Sequence, residues 1–241
     1  KNENLDYLFI TVKAFDLDAA LKEYSKVSSN KTIVISLLNG LGYTEILKKN
    51  FNNKIVMGTI GYLEVFIDKN RKVIHKSNKK AHIEIASDNN KFIYELKGLK
   101  NLINDAHINC EIINNEKNLT WRKLIRLCTI STITSLANSN LGKARSTEPY
   151  KSIMKDLVRE LCLIAAAENI YFNEAEIIDN IYSLPEDLRT SMQRDINSNK
   201  PSELNFILKE PIKLGNSLNL KSPILQSCYD SLKALQTNFI N

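Results

Sequence analysis

The sequence predicts an α/β region followed by an all-helical region, and three patterns predict it. Two continuous apolar runs, LDYLFITVK (5–13) and KTIVISLLNG (31–40), flank a helical stretch near the start. Short alternating segments follow between residues 54 and 86, and from about residue 117 the chain reads as helix to its end. Strand, helix, strand in that order gives a βαβ unit and a parallel sheet, because parallel neighbours need a long crossover that a helix supplies.

The run 5–13 is rich in aromatic and β-branched residues without polar alternation, the pattern of a strand buried on both faces. In FDLDAALKEYSKV, Leu17, Ala20, Leu21 and Tyr24 share one helical stripe and Asp16 is placed to cap it. The second run reads as a buried strand ended by Asn39-Gly40, and YTEILKKNF as a short helix. Segments 54–66, 72–76 and 81–86 then alternate as short strands joined by the turn formers DKNRK and SNKK, so antiparallel strands extend the sheet. KFIYELKGLKNLINDA reads as a helix and INCEII as the last strand.

The boundary falls near Asn115–Leu119, dividing the chain into residues 1–117 and 118–241. In SIMKDLVRELCLIAAAENI, Ile153, Leu157, Leu161, Ile164 and Ala165 recur at helical spacing. SLPEDLRTSMQRDINSN is expected as one helix with Ser183 as N-cap and Pro185 in its first turn. A further helix is expected from Pro201-Ser202-Glu203, capped by Ser202 and kinked or interrupted at Pro211, which removes a backbone donor. SPILQSCYDSLKAL closes the chain as an amphipathic helix.

Composition narrows the function classes. The longest apolar runs, such as YLFITV and TIVISLL, are far short of the ~20 residues of a membrane span, and there is no signal-peptide pattern. Cys110, Cys128, Cys162 and Cys228 are widely spaced without a CxxC, and only three histidines accompany them. That is neither a zinc pattern nor a disulfide framework, and it fits reduced thiols in a cytoplasmic protein. The net charge of +6 is spread along the chain, with one dense cluster at 69–80 that reads as the solvated face of a hairpin. Without a basic stripe interleaved with aromatics, nucleic acid is not the expected partner, and a modest positive field serves an anionic ligand equally well.

The candidate site rests on few residues. Ligands of doubly wound sheets bind beyond the carboxyl ends of the strands. Lys13 and Asn39 end consecutive predicted strands, where each alone would pass for a solvated lysine and a turn former. SLLNGLG is not GxGxxG, so Gly40 and Gly42 read as turn and close-approach residues rather than a phosphate cradle. In TWRKLIRLCTI, Lys123 sits among Leu124, Ile125, Leu127, Cys128 and Ile130, on a helix apolar nearly all round. A lysine there either snorkels to water or does chemistry. Ser191 and Glu203 arrive from the segment LRTSMQRDINSNKPSEL.

VKAFD, SLLNGLG, WRKL, and SMQRD followed by PSEL resemble, in order and spacing, the ketopantoate reductases (2-dehydropantoate 2-reductases), from Tyr7 to the last helix. The resemblance implies a partial Rossmann-type dinucleotide-binding domain and a helical C-terminal domain of 6-phosphogluconate-dehydrogenase type. It implies NADPH-dependent reduction of 2-dehydropantoate to pantoate, a step of pantothenate (coenzyme A) biosynthesis, with no metal. By the same resemblance Lys123 is the catalytic acid that hydrogen-bonds the ketone oxygen and protonates the alkoxide. Glu203 contacts cofactor and substrate and helps fix that lysine. Ser191 binds the substrate carboxylate, and Lys13 and Asn39 line the cofactor site, Asn39 touching substrate as well. Ser131 stands at a substrate-binding position, and a homodimer through the helical region is allowed rather than required.

Departures from the family pattern are as informative. The chain begins at Lys1 rather than methionine and enters a buried strand pattern within about six residues, so an N-terminal portion carrying the dinucleotide fingerprint is expected to be absent from this stretch. Leu127 and Ser131 stand where the family has asparagines four and eight positions beyond the lysine. Leu141 replaces a third asparagine, with Asn140 one position away, and Leu208-Lys209 replaces an asparagine-glycine. An altered substrate pocket leaves two other readings open: a paralogue reducing a different 2-oxo acid, or a non-catalytic dinucleotide-binding or oligomerising protein on the same scaffold.

Overall fold

The computed structural model describes residues 5–51, 54–61, 65–75, 80–86 and 92–237. The chain divides into two compact units, Lys1–Leu38 with Thr44–Thr120, and Asn39–Tyr43 with Trp121–Asn241.

In the first unit the strands β1 (Tyr7–Ile10), β2 (Ile33–Ser36), β3 (Lys54–Gly61), β6 (His82–Ala86) and β7 (Asn109–Ile113) form one sheet in the order β1-β2-β3-β6-β7. The pairs β1–β2, β2–β3 and β6–β7 are parallel, and β3–β6 is antiparallel. The helix α1 (Leu17–Tyr24) connects β1 to β2, α2 (Tyr43–Asn50) leads from β2 to β3, and α3 (Ile93–Asp105) joins β6 to β7. Leu96, Leu99 and Ile103 of α3 pack on Ile33, Ile35, Val56, Ile85 and Cys110 of the strands. On the polar side of β6, Thr59 donates to Glu84, which stands in register with Glu111.

β2 is buried along its whole length, as a strand without polar alternation should be. β1 departs from expectation. It spans only Tyr7–Ile10, ends the strand order, and is half-buried until Ile10. The chain leaves the sheet at Thr11 and makes a 3₁₀ turn at Ala14–Asp16. Asp16 holds the N-cap position of α1 in helical backbone and makes no side-chain cap bond, because the 3₁₀ turn already occupies that end. Val65–Ile67 (β4) and Val73–His75 (β5) form a separate antiparallel hairpin, turned by Asp68, whose Oδ1 accepts from the Asn70 and Lys72 amides at 2.8 Å each. The expected SNKK turn lies largely outside the described residues.

The second unit is built around α4 (Glu116–Leu136, its body from Trp121). The elements α5 (Leu141–Ser146), α6 (Tyr150–Ala167), α7 (Glu174–Tyr182), α8 (Ser191–Asn197), α9 (Glu210–Ser217) and α10 (Pro223–Thr237) follow. The stripe expected on α6 is real at Leu157, Leu161, Ile164 and Ala165, all buried, with Ile153 packed at its margin. α4 is buried but not apolar all round: Thr129, Ser131, Thr132, Thr134 and Ser135 are sealed within it.

The segment read as one helix from Ser183 is instead a loop followed by α8. Ser183 is the C-cap of α7, and α8 opens at Ser191 under Thr190, whose hydroxyl accepts from the Gln193 amide at 3.2 Å. The loop has its own bonding partners. The carbonyls of Glu186 and Leu188 accept from Gly142 and Leu141, the free amides at the start of α5, and Gly142 leaves room for Glu186, which a Cβ would meet at 2.7 Å. Asn140 caps α5, accepting from the Lys143 amide at 3.0 Å.

Candidate active site

Trp121 fixes the start of the buried part of α4: it is 1% exposed and its indole N–H donates to Glu168 at 2.8 Å. Lys123 follows two residues on and keeps partial exposure. Burial of its ammonium, opposed by the Glu203 carboxylate and reinforced by the like charge of Arg126, brings its pKa down to about 8.

Glu203 owes its place to an unusual stretch of helix. Pro211 was expected to kink or interrupt the helix. Instead Asn205–Lys209 forms a π-helical segment that runs into α9 with Pro211 in its first turn. An α-helical register would drive the proline ring into the carbonyl four residues back; the wider π turn removes that clash. In the π register the Glu210 amide bonds to the Asn205 carbonyl. The next donor in that register would be residue 211, which has no N–H, so the Phe206 carbonyl is left for another partner.

That partner comes from the turn after β2. The Leu41 amide donates to the Phe206 carbonyl at 2.9 Å. Gly40, at φ 91°, lies against the same carbonyl so closely that a Cβ would sit 2.3 Å from its oxygen. Gly42, at φ 90°, lies against the side chain of Glu210. The glycines therefore serve backbone approach, and the approach carries Asn39 to Glu203: its amide Nδ2 donates to Glu203 Oε2 at 3.1 Å, while Glu203 is 3% exposed.

The structure thus brings Asn39, Lys123 and Glu203 together. Lys13 belongs to the first unit, at the start of the 3₁₀ turn after β1, with its carbonyl accepting from Asp16. Ser191 opens α8, half-buried, next to Thr190, whose hydroxyl lies 3.3 Å from that of Thr134 on α4. Among the described residues, no hydrogen bond joins Ser191 to the trio. Ser131 lies two turns beyond Lys123 on α4, wholly buried, and its hydroxyl has no hydrogen-bond partner among the described residues. Two features escaped the sequence reading. Arg126 stands at i+3 from Lys123, a spacing legible in WRKLIRL. The Phe206 carbonyl had no signal except Pro211 itself.

Two family models match the chain: ketopantoate reductase PanE/ApbA over residues 1–88, and the C-terminal part of the same family over residues 115–236. The chain belongs to the ketopantoate reductase PanE/ApbA family. Like that family it is an oxidoreductase, with a Rossmann-like N-terminal region and a helical C-terminal one. It is similar to a 2-dehydropantoate 2-reductase of Archaeoglobus fulgidus, 21% identical over 98% of this chain and 78% of that one. A Bacillus subtilis protein described as an uncharacterized oxidoreductase is 22% identical over 95% of this chain and 76% of its own length. Among solved structures, a D-mandelate dehydrogenase with NADH and anilino(oxo)acetate superposes with a TM-score of 0.90 at 19% identity, over 99% of this chain and 79% of that one. A dimeric ketopantoate reductase from Staphylococcus aureus gives 0.85 at 24% identity, over 99% and 80%. Proteins of different names therefore share this fold.

Proposed function

We propose that the protein reduces a 2-oxo acid to the 2-hydroxy acid with a nicotinamide dinucleotide, NADPH by family, and that Lys123 is the acid. One observation carries this reading: an ammonium poised near pH 8 beside a buried carboxylate that a side-chain amide holds in place. A lysine in that state can meet a developing alkoxide as a cation and still give up a proton near neutrality. Glu203 keeps the ammonium from losing its charge altogether, since it is the influence that raises the lysine pKa against burial. Asn39, by donating to Glu203, fixes which carboxylate oxygen is left to face ligand and lysine. Ser191 is proposed to hold the substrate carboxylate.

The residues present fit a dinucleotide. β1 and β2 are adjacent parallel strands, and Lys13 and Asn39 follow their carboxyl ends. Ser36, the last residue of β2, buries a hydroxyl that has no hydrogen-bond partner among the described residues. Lys13 and Asn39 would hold the cofactor, with Glu203 beside it. The cofactor supplies the hydride, and the protein's share is to position the ketone, stabilise the oxyanion and deliver the proton. The D-mandelate dehydrogenase of similar fold was solved with NADH, which leaves the choice of nicotinamide nucleotide to measurement.

Division of labour follows the two regions, residues 1–117 for the dinucleotide and 118–241 for substrate and dimerisation. The dimeric description of the Staphylococcus aureus reductase supports a homodimer. Four free, buried cysteines support a reducing, cytoplasmic setting, and no helix of the described residues is long and apolar enough to cross a membrane. Two substrates are in view: 2-dehydropantoate, in whose favour the curated relatives' names speak, and a 2-oxo acid with a different side chain, favoured by Leu127. Oxidation of NADPH and NADH at 340 nm, with a panel of 2-oxo acids, tests the reading. Turnover with at least one oxo acid is expected. Dinucleotide binding without turnover by any oxo acid would instead support a non-catalytic binding protein.

A further inference from the structure

We infer that the substrate is a 2-oxo acid with an unhydroxylated, apolar side chain, selected by Leu127. The inference rests on the proposal that Lys123 binds the ketone oxygen. The substituent on a ketone carbon held by that ammonium lies within a few ångströms of it, about one helical turn of α4, whose pitch is about 5.4 Å. The residue one turn along the same face is Leu127. Leu127 packs its buried part on the core of the helical unit, and because helical side chains lean toward the N-terminus its exposed part lies over the turn that carries Lys123 rather than the turn beyond.

Burial along α4 narrows the choice further. From Leu124 to Ser135 every residue is buried except Arg126 and Leu127. Ser131, the next polar side chain along the face, is 0% exposed and cannot reach a ligand seated at Lys123. A substrate resting on this helix therefore meets a cation and a leucine. The ketone end of an oxo acid suits the side of Lys123, its carboxylate being left to Ser191. The hydrocarbon end suits Leu127, which offers no donor or acceptor to a hydroxyl. A hydroxyl pressed there would lose its water without a partner, and hydrophobic contacts of this kind discriminate by about 10–100-fold.

A matched pair of substrates isolates the effect. 2-Dehydropantoate and 3,3-dimethyl-2-oxobutanoate share a carbon skeleton and differ by one hydroxyl. With NADPH, the wild-type chain is expected to show a kcat/KM about 10–100-fold higher for the unhydroxylated acid. Leu127→Asn should bring the ratio to unity or invert it, and Leu127→Met, which stays apolar, should leave it within about threefold. A wild type that prefers 2-dehydropantoate overturns the inference while leaving the reductase reading intact. So does a ratio that the asparagine variant, folded by circular dichroism, does not move. No turnover of either acid or of the wider panel, with dinucleotide bound, sinks the reductase reading and this inference with it.

Discussion

Two cations of the helical unit, Arg145 and Lys123, are treated in opposite ways. Arg145 on α5 is 7% exposed. Its Nη1 donates to the carbonyls of Ile181 and Leu184 at 2.8 and 2.9 Å, and its guanidinium lies 3.8 Å from Glu186 and 5.5 Å from the centre of the Tyr182 ring. Tyr182 in turn donates to the Arg145 carbonyl at 3.2 Å. Lys123 is placed so that burial works against its charge and one carboxylate partly restores it. Arginine is a permanent cation with a planar fork of donors, suited to closing the C-terminal end of a helix, whereas lysine shifts its pKa when enclosed. A charge whose surroundings complete it holds the fold together, and a charge left short of partners is available for a ligand.

The comparison breaks most clearly on the lysine. Lys123→Ala should lower kcat for the preferred oxo acid by roughly 10³-fold, combining a lost proton donor with a lost oxyanion partner. Its thermal midpoint should stay within about 3 °C of wild type, as followed by circular dichroism. A variant that turns over normally removes the lysine from the mechanism, and one that melts early makes it a structural residue instead.

Arg145→Met should do the reverse. It strips partners from the carbonyls of Ile181 and Leu184, each buried acceptor costing on the order of 1–3 kcal/mol. For a chain of this size that total corresponds to a midpoint lower by about 10 °C. At a temperature where the variant is folded, kcat/KM should remain within about threefold of wild type. A normal midpoint would show that the contacts of Arg145 are dispensable and the contrast false.

The same contrast explains what was legible in the sequence. β2, α6 and the change from sheet to helices show in one-dimensional pattern because apolar periodicity reports burial directly. Lys123 was visible as a charge among apolar neighbours. The pairing of Asn39 with Glu203 spans 164 residues and depends on the turn at Gly40 meeting a freed carbonyl, which no local pattern encodes. The start of α8 was misread because Ser183 and Pro185 look like a helix beginning, while the amides at the head of α5 draw that loop's carbonyls away. Pro211 was read by the rule for prolines in α-helices, and the π-helical segment evades that rule. Arg145 gave no signal, since its partners are backbone carbonyls.

Glu203→Gln should give the smallest effect and sharpen the comparison furthest. The acid in a reduction must be protonated, so with a pKa of about 8 the wild-type rate is flat below pH 8 and falls about tenfold per unit above it. Glu203 acts on that value in one direction only, raising it against burial and Arg126. Glutamine keeps the size of the side chain and an oxygen for the Asn39 amide, and loses the charge. The alkaline limb should therefore move to lower pH, while the rate well below it drops by about tenfold, the lower end of what one charge-assisted hydrogen bond is worth. A merely structural glutamate would change the rate equally at all pH values and leave the limb in place. A limb that stays near pH 8 in this variant would mean that the titrating acid is not the lysine beside Glu203, whatever the size of the rate loss.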